Sequence, residues 1–146
     1  MWFTSDREQI RSLFYQSWRK YRSSQPLEPL EAVIAEVLAA HPEYHPLFEN
    51  DRALSRDFSP EMGEGNPFLH LALHVAIREQ LGTDRPKGIL SLYAGLMAEG
   101  KGEHDVEHRM MECLAEGLWE AMRSGVEPDE RRYLKCVRRR MRKTRR

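Results

Sequence analysis

NPFLHLALHVAIREQLG, residues Asn66–Gly82, decides how the rest of the chain is read. Asn66 is a good N-cap, and Pro67 fits the first helical position, where no backbone N–H is needed. Gly82 follows the last periodic residue and is expected to close the helix in a left-handed turn. From Phe68 to Ile77 every residue is apolar except His70 and His74. The apolar positions run all the way round the wheel, so this helix is expected to be central and buried. His70 and His74 stand four apart and share one face. Imidazoles inside an apolar helix need partners, because an unpaired buried polar group costs free energy.

Helical spacing extends outward on both sides. Ile10, Leu13, Phe14, Ser17, Trp18 and Tyr21 make the inner face of a first helix over about 6–22, with Ser5 and Glu8 as a capping box. A second helix begins near Pro29, carries Val33, Ile34, Val37 and Leu38 inward, and must end by His41, since Pro42 disfavours a helical residue before it. HPEYHPLFEN, 41–50, reads as a brief helical turn. Polar DRALSRDFSPEMGEG, 51–65, reads as a long surface loop. Beyond Gly82, TDRP opens a fourth long helix, capped by Thr83 or Asp84 and ended by Gly100. A fifth runs from about Glu103 to Ser124, stopped by Gly125, and a last one starts near Pro128 with Tyr133, Leu134 and Val137 inward. Met110, Met111 and Trp119 are expected in the core. No strand, repeat or heptad run is evident. The expectation is an all-α, single-domain bundle of five or six helices around the helix at about 67–81. The domain spans 1–137, and a basic tail, 138–146, frays from it.

Length and composition suit one soluble domain: 146 residues, 40% hydrophobic and 32% charged. No apolar run reaches membrane-spanning length, and MWFTSDREQI has no secretory pattern. Two cysteines, Cys113 and Cys136, match no zinc or redox spacing, so a reduced, cytoplasmic setting is expected. The zero net charge hides a split. From Arg131 to Arg146 there are ten Lys or Arg and no acid, leaving 13 basic and 23 acidic residues in the first 130. A tail so charged either binds polyanions or folds back on an acidic body. Arg138, Arg139, Arg140, Arg142, Lys143, Arg145 and Arg146 suit non-specific contact with nucleic acid or an acidic protein.

All six histidines fall in pairs spaced by four: His41 with His45, His70 with His74, His104 with His108. Random placement would give about a quarter of one such pair. The third pair continues to Glu112, one turn further on. An H-x-x-x-H on one helix facing an H-x-x-x-E on another suits a divalent metal such as zinc, iron or nickel. The expected ligands are therefore His70, His74, His108 and Glu112. An open coordination position would activate water or bind dioxygen, and a closed one would staple the fold. The same spacing also serves a metal-free polar network with Glu107 or Glu112, or a lone catalytic histidine. Pro42 spoils a common helical face for His41 and His45, which ranks them lower. His104 is expected to be solvated in a fraying first turn. No phosphate-binding glycine loop, nucleophile elbow or HExxH is present.

HPEYH, NPFLHLALHVAIREQ, DRPKGI and HRMMECLAEGLWEAM together resemble the bacterial family of domain of unknown function 1841. The resemblance runs from Phe3 to about Arg140. It implies a small, soluble bacterial protein and supplies no activity. The basic run after Val137 is longer than the family pattern, so a role for the tail is particular to this chain.

Overall fold

A computed structural model describes residues 7–49 and 66–141. It is all-α, as expected. The elements are α1 Arg7–Arg22, α2 Pro29–Ala39, a 3-10 helix Pro42–Phe48, α3 Pro67–Thr83, α4 Ile89–Met97, α5 Glu103–Ser124 and α6 Glu130–Arg139. No strand occurs among the described residues, and none of their helices is long and apolar enough to cross a membrane. The Ser5 cap, the 51–65 loop and the tail beyond Met141 lie outside the described residues. The chain forms two compact units, 1–76 and 77–146, and α3 is continuous through the boundary.

The helix starts follow local chemistry. Asn66 Oδ1 accepts from Leu69 N at 3.1 Å, the N-cap bond that its sequence position promised. The expected stop at Gly82 moves. Gly82 lies inside α3, and the left-handed residue is Asp84, with φ +50°. An aspartate tolerates that conformation when its side chain bonds locally. Asp84 Oδ1 accepts from Gly88 N at 3.2 Å and Leu90 N at 3.0 Å, so α4 starts later than the TDRP motif suggested. At the far end of α5, Gly125 takes φ +72° and its N–H donates to Ala121 O, a glycine C-cap. Asp129 caps α6 by accepting from Arg131 N and Arg132 N.

In the first unit α1 packs on α2, and the start of α3 joins their core. Phe14, Trp18, Ile34, Val37, Leu38, Leu71 and Val75 are all buried there. Leu71 through Ile77 is buried without a break, which is why the apolar positions cover every side of the helix. Lys20 on α1 pairs with Glu31 on α2 at 2.9 Å. Glu31 also accepts from Glu28 N at 2.8 Å, closing the start of α2. The Glu28 backbone bond and then Lys20 hold the Glu31 carboxyl below its ordinary value of 4.5.

In the second unit, buried Val106, Met110, Met111 and Leu114 give α5 its inner stripe. Trp119 departs from expectation: it is 66% exposed, past the end of that stripe. Cys113 and Cys136 also depart from it, because a disulfide joins them and ties α5 to α6. No local spacing motif announces such a bond, since its partners stand 23 residues apart on different helices. Closing a loop of that length stabilises a fold by about 3 kcal/mol. It matters because α6 buries only Tyr133 and Val137. Tyr133 reaches back to Gln80 on α3, its hydroxyl donating to Oε1 at 2.5 Å, and burial raises its phenol above the ordinary range.

Two outcomes test this packing. Leu71→Ala removes a fully buried side chain, and chemical denaturation should show a loss of about 2–5 kcal/mol. The Glu31 tie should contribute fully above pH 4.5 and fade as pH falls through the lower folded-state value. Glu31→Gln should therefore be the less stable protein at neutral pH, with the gap to wild type closing on acid titration.

Candidate metal centre

Three histidines meet in the first unit. His41 sits in the turn between α2 and the 3-10 helix, with 2% of its surface exposed. Its Nδ1 lies 2.7 Å from Val37 O. A carbonyl oxygen only accepts, so Nδ1 carries the proton, and in the neutral ring Nε2 carries the lone pair. That is how metal-binding histidines are commonly oriented: the second ring nitrogen is locked by a backbone carbonyl, which fixes tautomer and ring plane. His74, fully buried on α3, places its ring centroid 4.5 Å from that of His41. His70, one turn earlier and half-buried, is 4.9 Å from His74 and 5.5 Å from His41. Tyr44 edges against His70 at 6.0 Å. Burial, and then the neighbouring Glu43, raises the Tyr44 phenol, so it stays protonated at neutral pH.

A ring nitrogen of His41 and one of His74 lie within 4.8 Å of each other. Two imidazoles on one tetrahedral ion stand about 3.3 Å apart, given metal–nitrogen bonds of about 2.0–2.1 Å. Modest side-chain rotation closes that difference. His45, the sequence partner of His41, goes elsewhere. Its Nε2 donates to Leu38 O at 2.7 Å, and its ring packs on Trp18 at 4.5 Å. The His41–His45 pair thus divides between two tasks.

The second unit holds the other pair. His104 and His108 are one turn apart on α5, with centroids 4.3 Å apart and ring nitrogens again within 4.8 Å. His104 is exposed and His108 is half-buried. Beside them on α5, Glu107 is buried and pairs with Arg78 at 3.2 Å, so a charged carboxylate inside this unit is balanced by a guanidinium. Glu112 is differently engaged. Its side chain is 63% exposed and accepts from Arg140 at 2.9 Å.

Of the expected ligands, His70 and His74 lie beside His41 in the first unit, while His108 lies beside His104 in the second. The argument against His41 was that Pro42 denies it a helical face. It needs none, because the turn after α2 carries its ring to α3. The one usable signal was the pairing of every histidine in the chain.

Residues 6–139 match the family model described as domain of unknown function (DUF1841). No curated protein and no solved structure matches the chain.

The His41 geometry has a direct readout. A long-range proton–nitrogen correlation spectrum of metal-free protein should show neutral His41 protonated at Nδ1. The opposite tautomer would remove the Val37 bond and with it the reason for treating Nε2 as a ligand.

Proposed function

The chain belongs to the DUF1841 family, and from that premise, which carries no activity, we propose that it holds a divalent metal ion through imidazoles of its first unit, with His41 and His74 as the ligands. The observation that carries this reading is the orientation of His41: a buried imidazole, Nδ1 bonded to a carbonyl, facing a second buried imidazole from α3. The Val37 bond fixes the tautomer and leaves the lone pair on Nε2, the orientation a metal ligand requires.

An all-nitrogen, neutral donor set suits zinc, nickel or iron and disfavours calcium or magnesium, which take oxygen. Zinc filled to four ligands would staple the fold. Iron or nickel would accept further ligands, leaving positions for water or dioxygen. No carboxylate offsets the ion in this set, so it would keep its full charge and favour an anion or hydroxide at any remaining position. His70 stands next in line as a ligand, from the same α3 face as His74. Glu112, the carboxylate the spacing pointed to, would join only by releasing Arg140.

Elemental analysis of protein purified without an affinity tag should find close to one zinc, iron or nickel per chain. His41→Gln and His74→Gln should each lose it while circular dichroism stays helical. If His74→Gln fails to fold, His70→Gln at the half-buried position supplies the same comparison. Added metal at about a hundred times its dissociation constant should stabilise wild type by about 2.7 kcal/mol, and a chelator should remove the gain. Metal-free wild type with no stability response to any of the three ions would refute the proposal.

A further inference from the structure

Among the described residues, the second half of α5 carries an exposed apolar surface. Trp119 is 66% exposed, Met122 80% and Val126 65%. Trp119 and Val126 line an open cleft of about 890 Å³ between the end of α5, the 125–129 turn and the start of α6. The cleft is acidic. Glu112, Glu116 and Glu120 repeat every fourth residue along α5, and Glu127 and Asp129 follow from the turn, against only Arg123 and Arg132. Like charges at that helical spacing repel, so the row costs stability and needs a reason outside the helix. Part of it is already engaged: Glu112 with Arg140, Glu120 with Arg123, and Asp129 as the cap of α6. Glu116 and Glu127 make no ion pair among the described residues. The Cys113–Cys136 bond fixes α6 against α5, so both walls are held.

We propose that this cleft docks the arginine-rich C-terminal run, Arg138–Arg146, of a second copy of the chain. Charge and ring geometry select that occupant. The run carries seven Lys or Arg among nine residues and no acid, the complement of the cleft. Trp119 offers a flat face for a guanidinium, a geometry Arg123 already adopts at 5.7 Å from its ring centre. The copy's own run is committed at its start: Arg140 pairs with Glu112 at the cleft's edge. Arg140 O accepts from Arg109, and Met141 Sδ lies against Gly95 of α4, within 3.0 Å of where a Cβ would stand. Each copy then offers one cleft and one run, a head-to-tail contact that depends on concentration and salt. The proposal is independent of the metal reading.

The test uses the full chain and a fluorescent synthetic peptide of residues 138–146. The peptide should bind saturably, more weakly as salt rises. Trp119→Ala and the double change Glu116→Lys/Glu127→Lys should each weaken it by about tenfold or more. Glu43→Lys, an exposed acid in the other unit, should leave affinity unchanged. Light scattering of wild type at low salt should show mass rising with concentration, and the cleft variants should remain monomeric. All variants are at exposed or half-exposed positions, and circular dichroism checks that they fold. Equal peptide affinity for wild type and both cleft variants would overturn the proposal. So would a monomer at every concentration, or a run that binds a nucleic-acid duplex while the peptide ignores the cleft.

Discussion

His74 is the constraint on which this structure turns. An imidazole with no exposed surface sits in the middle of seven consecutive buried residues of α3. Burying a polar ring stabilises nothing unless its nitrogens are engaged, so the fold around it must supply donors, acceptors or an ion. The turn after α2 answers with His41, itself buried and held by Val37 O. Much of the first unit can be read as the means of making that meeting. Leu38 and Val37 pack α2 into the core, Lys20–Glu31 ties it to α1, and Pro42 breaks the chain so that His41 turns inward.

The second unit solves a different problem. Its last helix has little to bury, and α6 is held by a disulfide, by the Tyr133–Gln80 bond and by Arg140 on Glu112. These ties keep a strongly basic helix on a body that is otherwise acidic. They also leave exposed, on α5, a tryptophan and, at Glu116, a carboxylate that makes no ion pair among the described residues.

The helices were legible because their signals are local. Asn66–Pro67, Gly125 and the apolar stripe of α5 each act within a turn or two of backbone, and each did what its chemistry required. Gly82 misled because a glycine closes a helix only if the chain turns there, and Asp84 turns it instead. The site was half legible. The spacing of His70–His74 and His104–His108 puts each pair on one helical face, and that much is helix geometry. His41 was hidden because its partner comes from α3, 33 positions on in sequence, and no spacing rule spans that distance. Glu112 shows the converse. It has the right spacing from His108, but Arg140, brought back by α6, holds its carboxylate. Cys113 and Cys136 were unreadable on the same ground, and Trp119 because exposure depends on what ends before it, not on its own type.

X-ray absorption at the metal edge tests the central claim most directly. Protein loaded with zinc should show nitrogen or oxygen neighbours at about 2.0–2.2 Å, with the outer-shell scattering of imidazole rings. Sulfur at about 2.3 Å, or a spectrum no different from zinc in buffer, would contradict it.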